Sequence, residues 1–221
     1  MQVRIEPLLS ADQCQVWLQQ LRQELDGWRP GEETAGWHAR SAKHNRQLHR
    51  GCSLHQQLAA ELEQLLLGHP LLQATAFPKR IHSILFSRSG VGEGYGRHTD
   101  NAWMAAGRSD LSFTVFLSDP DDYQGGALVL ESPMAEEAIR LPAGHAIVYP
   151  SSLLHRVEPV AAGERLVAVG WIESRIRHSD QRELLFELDT ARRALFTRSG
   201  NDEIFDLISR SYTNLLRRWD S

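Results

Sequence analysis

Cysteine is scarce. The 221 residues contain two, Cys14 and Cys52, and no CxxC pair. A disulfide framework is therefore excluded, and no paired-cysteine motif suggests zinc or redox chemistry. Excess charge of either sign is also lacking: the formal net charge is -4, with no electrostatic footprint for nucleic acid. No apolar run approaches the roughly 20 residues of a membrane span. The opening stretch MQVRIEPLLSADQ is interrupted by Arg4, Glu6 and Asp12, so it lacks the apolar core of a signal peptide. There is no internal repeat and no low-complexity segment. These shortages predict a cytoplasmic, reduced setting with neither membrane nor nucleic acid as partner. What remains is ordinary for a folded protein, 42% hydrophobic and 24% charged, enough to bury a real core.

Three zones follow from pattern. Residues 1–78 read as a helical and loop region packing on the core. Ser10 and Gln13 have capping-box spacing ahead of a helix over 10–25, whose apolar side includes Val16, Leu18, Leu21 and Leu25. A loop rich in Gly, Trp and charge spans 27–40, and a second helix spans 53–67, ended by Gly68 and Pro70. Residues 79–178 change texture. The runs IHSILFS, LSFTVFLS, GALVLES, EAIRLPAG, HAIVYPS, LHRVEPV and RLVAVGWIES alternate with turns such as QGG at 124–126, predicting an all-β sandwich or barrel. Residues 179–221 return to helix. Ser179 is the expected N-cap, Leu184, Leu185, Leu188 and Leu195 form a stripe, and Gly200-Asn201 separates a second helix. These helices either brace the β core or offer a homodimer face; bracing is the simpler expectation.

Chemistry concentrates in GRHTDNA, residues 96–102. On a strand or at its end, His98 and Asp100 project to one side. Alone, an HxD is as well explained by a surface turn or a hydrogen-bonded pair. His155 changes the balance, because it opens a strand after HAIVYPS and a barrel can bring it beside His98. Two histidines and a carboxylate make the facial triad of mononuclear Fe(II) oxygenases, though the same set also binds zinc. Arg165 lies ten residues beyond His155, at the start of RLVAVGW. Held by strands, a guanidinium suits bidentate capture of a carboxylate. The plainer alternative is a surface arginine paired with Glu158 or Glu164.

GRHTDNA, SDPDDYQGGALVLE and LPAGHAIVYPSSLLHRVEPVAAGERLVAVGWIES together resemble the Fe(II)- and 2-oxoglutarate-dependent oxygenases of the prolyl 4-hydroxylase-like branch, and more closely the bacterial PKHD-type hydroxylases. RSAKHNRQL at 40–48 and DQRELLFELD at 180–189 extend the resemblance to nearly the whole chain. The resemblance implies a mainly β fold with flanking helices, its core a double-stranded β-helix, or jelly roll. It implies His98, Asp100 and His155 as iron ligands and Arg165 as the anchor for the distal carboxylate of 2-oxoglutarate. Fe(II), 2-oxoglutarate and O₂ would be required, with ascorbate as a further ligand. The expected reaction is hydroxylation of an unactivated C–H in a small-molecule or peptide substrate of prolyl or lysyl type. Family members commonly carry Arg-Tyr before the HxD, where this chain has Arg88-Ser89. Tyr95 is the candidate to supply the lost co-substrate contact.

Asn101, Lys43, Asn45 and Trp103 are candidates for the substrate side. Lys43, Asn45 and Gln47 alternate, as if on one strand face, with a solvated edge as the plain alternative. Trp103 is a gate or simple packing, and Trp171 packs within the sandwich. Trp28, Trp37 and His38 are candidates to grip substrate from the 27–40 loop. The remaining histidines, His55 and His82 among them, read as structural or exposed. Two rival functions use the same residues: a cupin-like zinc or manganese hydrolase or isomerase, and a non-catalytic jelly-roll binding module.

Overall fold

The structure is a computed structural model that describes residues 2–34 and 42–221. In chain order the strands begin with β1 (Val3–Ile5), β2 (Trp28–Pro30), β3 (Lys43–His44), β4 (Arg46–Leu48), β5 (Pro78–Ser89) and β6 (Gly94–His98). They continue with β7 (Trp103–Met104), β8 (Gly107–Arg108), β9 (Leu111–Phe116), β10 (Tyr123–Gly125) and β11 (Leu128–Glu131). The last are β12 (Glu136–Ile139), β13 (Ala146–Pro150), β14 (Leu154–Val157), β15 (Val160–Gly163) and β16 (Arg165–Ser174). Five helices accompany them: α1 (Ala11–Gln23), α2 (Ser53–Gly68), α3 (Pro70–Ala76), α4 (Ser179–Ser199) and α5 (Glu203–Trp219).

Two antiparallel sheets face each other as a jelly roll. The major sheet has the order β1-β13-β9-β16-β5-β4-β2, the minor sheet β12-β11-β14-β6-β3. Each of the seven runs predicted as strands contains a strand, though EAIRLPAG is strand only to Ile139 and LHRVEPV only to Val157 before β15 begins at Val160. β16 is buried on both faces for most of its length, which is why LVAVGW reads as an unbroken apolar run. One face sends Leu166, Ala168 and Ile172 into a core shared with α1, α2 and α3. The other sends Arg165, Val167, Val169 and Trp171 toward the minor sheet. A second cluster, including Phe116, Leu128, Leu130, Ile139, Ile147 and Val167, packs between the sheets. In the QGG turn, Gly125 (φ 71°) and Gly126 (φ 62°) both adopt the left-handed region that glycine reaches at least cost.

The helices correct several expectations. The capping box of α1 forms as read: Ser10 accepts from Gln13 N, and the Gln13 side chain accepts from Ser10 N. Its buried side, however, is Cys14, Trp17 and Leu21; Val16 is exposed, and so is Leu25, which lies beyond the helix end. Trp17 sets its ring edge-on to Phe86 and donates Nε1–H to Glu61, so a residue outside the predicted stripe anchors the helix. Pro70 does more than end α2. It opens α3 at the first turn, where its missing N–H is no loss. His178, not Ser179, is the N-cap of α4, and Ser179 is the first helical residue. Leu184 points outward while Leu185 is fully buried.

Candidate metal centre and cavity

Strands β6 and β14 pair antiparallel with His98 directly opposite His155. Opposite residues share a face and stand closest of all cross-strand pairs. The two imidazole centroids are 4.2 Å apart. Asp100 lies two residues past His98, beyond the strand end, and turns back toward both rings. Its oxygens lie 4.0 Å from His98 Nε2 and 3.8 Å from His155 Nε2. One ligand atom from each of the three residues fits within 4.8 Å, a spacing able to hold a metal ion.

The surroundings fix which atoms are available. Nδ1 of His98 lies 2.8 Å from the carbonyl of Gly96, and Nδ1 of His155 lies 3.0 Å from that of Leu153. A carbonyl only accepts, so each Nδ1 carries the proton and each Nε2 keeps a lone pair. Burial first, and then the neighbouring His155, pull His98 down to about 4, leaving it neutral near pH 7. Tyr95 stacks on His98 at 3.7 Å between centroids. Ser112 donates to Asp100 Oδ2 at 2.5 Å and shares a 2.7 Å hydrogen bond with Ser151, so the carboxylate is aimed from behind.

The cluster lines a cavity of about 420 Å³ between the sheets, a size common for small-molecule sites. Arg165 lines it from the major sheet and is 3% exposed. The alternative of a surface arginine does not hold: Glu164 pairs with Arg88 at 2.5 Å and with Arg22 at 3.6 Å. Nε of Arg165 is buried with no hydrogen-bond partner. Burial lowers its pKa, with Tyr123 and Tyr149 opposing the shift. An arginine does not escape by losing its proton, so this buried charge calls for an anion. The donor set fits ferrous iron, with two neutral imidazoles and one carboxylate leaving coordination positions open. The buried guanidinium fits the far carboxylate of 2-oxoglutarate.

The other candidates have separate fates. Lys43, Asn45 and Gln47 all line the cavity, yet they do not share a strand: Lys43 is in β3 of the minor sheet, Gln47 in β4 of the major sheet, and the chain crosses between them at Asn45. Asn101 and Trp103 line the rim, both exposed. Trp171 lies between the sheets, where it lines the cavity, and its buried Nε1–H has no acceptor. Trp28 grips nothing from outside. It is 6% exposed and donates to the carbonyl of Glu24. Trp37 and His38 lie outside the described residues. His55 and His82 are structural, bonded to the carbonyls of Ile84 and Arg108. Ser112, Tyr149, Trp171 and Arg50, all lining the cavity, were missed from the sequence. For Trp171 a signal existed, since alternation from Arg165 puts 167, 169 and 171 on one face.

Comparison with known proteins agrees with this arrangement. Residues 84–173 match the 2OG-Fe(II) oxygenase superfamily, and residues 180–220 match the PKHD-type hydroxylase C-terminal domain. A PKHD-type hydroxylase of Synechococcus elongatus is 55% identical over 193 residues, 86% of each chain. One from Prochlorococcus marinus strain MIT 9303 is 45% identical over 225 residues, covering 100% of both. Among solved structures, a Pseudomonas putida prolyl-4-hydroxylase superposes with TM-score 0.58 at 22% identity, over 79% of this chain and 92% of that one. A prolyl hydroxylase of Trichoplax adhaerens gives 0.56 at 16% identity, over 83% and 86%. These two likenesses carry the fold, and the closer relatives carry the family: the chain belongs to the PKHD-type hydroxylases, within the 2OG-Fe(II) oxygenase superfamily.

Proposed function

We propose that this hydroxylase oxidises an unactivated C–H of an amino-acid or peptidyl substrate of prolyl or lysyl type, with 2-oxoglutarate converted to succinate and CO₂. His98, Asp100 and His155 hold Fe(II), and Arg165 holds the distal carboxylate of the co-substrate. Ferrous iron bound there supplies the activation of O₂, chemistry that protein side chains lack. The chain supplies position. Gly96 and Leu153 carbonyls fix the imidazole tautomers, Ser112 orients Asp100, and Tyr95 acts through His98, on which it stacks. Val167 and Val169 exclude water from the floor between the metal ligands and Arg165.

The observation that carries this reading is the buried guanidinium of Arg165, with no acidic partner among the described residues and its Nε without a hydrogen bond, on the same cavity as the His-Asp-His cluster. A zinc or manganese enzyme that needs no 2-oxoglutarate would leave it no co-substrate to hold. The test is anaerobic. Fe(II) and then 2-oxoglutarate are added to metal-free protein while the visible spectrum is recorded. A weak charge-transfer band that needs both, and is lost in Arg165→Ala and His155→Ala, is expected. Tight zinc binding with no such band would put the cupin-like reading ahead.

A further inference from the structure

The last two helices serve the fold unequally. The first turns of α4 brace the body: Leu185 is fully buried, and Arg182 donates to the carbonyls of Ile176 and Arg177. From Thr190 to Trp219 no residue is buried. α5 is held by α4, through the rings of Phe196 and Phe205 at 5.1 Å and Arg192 above Tyr212 at 4.7 Å, while Lys79 and Arg175 tie down the chain end beyond it. The outer side of α5 carries Ile204, Leu207, Ser211, Asn214 and Arg218, all exposed and at helical spacing along one stripe. Ile204 is 60% exposed and Leu207 55%, and Phe196, at the same end of the hairpin, is 52% exposed. The charges of α5 are sorted by end. Glu203 and Asp206 lie in the first turns, Arg210 midway, Arg217 and Arg218 in the last turn, and none of the five has an ion pair among the described residues. The helix dipole accounts for that order of charge, but not for large aliphatic side chains left in water beside the acids.

We infer that this face is an isologous contact between two copies of the chain. Two α5 helices related by a two-fold axis near Ser211 run antiparallel. Glu203 and Asp206 of one copy then face Arg217 and Arg218 of the other, and the same pairs recur on the far side of the axis. Leu207 of each copy meets Leu215 of the other, and the small side chain of Ser211 lets the helices approach at the axis. The contact supplies the tertiary packing that a helix in water lacks. A lipid surface fits worse, because the acids stand directly beside the apolar side chains and would be pressed against anionic headgroups. No residue of α4 or α5 lines the cavity, so the contact uses no part of either site and stands apart from the iron and 2-oxoglutarate reading.

The experiment is sedimentation equilibrium on the full chain at about 1–100 µM, a range that brackets the dissociation of a modest interface. The wild type is expected to reach twice the single-chain mass of 25.0 kDa. Leu207→Glu, at an exposed position, is expected to stay at the single-chain mass with an unchanged circular dichroism spectrum. Two charge-reversed chains, checked for folding in the same way, test the antiparallel pairing. Glu203→Arg with Asp206→Arg makes both ends of α5 basic, and Arg217→Glu with Arg218→Glu makes both ends acidic. Each alone should weaken self-association about tenfold or more, and their equimolar mixture should restore the dimer mass. A wild type of single-chain mass at the highest concentration, a Leu207→Glu chain that pairs as the wild type does, or a mixture of folded reversed chains that stays monomeric would overturn the inference. So would a monomeric wild type that sediments with vesicles of phosphatidylglycerol and phosphatidylcholine, which would mark the face as lipid-binding.

Discussion

Ser112 is not one of the candidate metal ligands, yet much of the proposed metal site depends on it. Its hydroxyl donates to Asp100 Oδ2 and is itself tied to Ser151, so the carboxylate is held in one rotamer. Ser112→Ala is expected to weaken Fe(II) binding about 10–100-fold, the usual cost of losing a ligand's orienting partner. Fe(II) titration checks this, with an unchanged circular dichroism spectrum excluding misfolding. Lys43 makes a prediction of opposite character. Burial, opposed by Asp100, lowers it from 10.5 to about 8. Between those values the unfolded chain binds more protons than the native one, so stability rises with pH across this window and the penalty is fully present below it. Lys43→Met should therefore gain stability near neutral pH and lose that advantage near about pH 10. Urea midpoints of the two proteins at both pH values test it. The candidate metal ligands and Arg165 were legible as residues because their types and order are distinctive. Ser112 was not, since a serine in an apolar strand reads the same whether it faces a core or a cavity; for Trp171, alternation from Arg165 gives the face but not that the face borders a cavity.

Elements divide along a similar line. Long buried strands announced themselves, because β5, β9 and β16 carry runs of β-branched and aromatic residues. The short strands β1 to β4 did not, having two or three residues each and gaining their order from pairing with distant partners such as β13 and β5. That is why Lys43 and Gln47 were expected on one strand face and stand in two sheets. In α1 the cap was readable but the buried face was not: Trp17 is buried where Val16 is exposed, since Phe86 and Glu61 receive the indole. Ser10→Ala should lower stability by about 1 kcal/mol through loss of the hydrogen bond from Gln13 N to the Ser10 hydroxyl. The chemical-denaturation midpoint should fall with its slope unchanged, and 2-oxoglutarate binding should be unaffected.

At the scale of the molecule, the proposed site straddles two layers. His98 and His155 belong to the minor sheet and Arg165 to the major one. What separates them is packing, the cluster that includes Phe116, Leu128, Ile139 and Val167. Ile139→Ala, in the minor-sheet strand β12, should cost about 2–5 kcal/mol. Leu62→Ala, in the other core beneath the helices, should cost a similar amount. Measured below both unfolding transitions, kcat should fall in the first variant and hold in the second. The gap between the sheets then works as a gauge. In the proposed site a five-carbon dicarboxylate would reach from one layer to the other, and a homologue one methylene shorter or longer would meet a fixed span. Tolerance for co-substrate length is accordingly written in buried aliphatic side chains that never touch it, and loosening them should broaden the range of 2-oxo diacids accepted before it abolishes turnover.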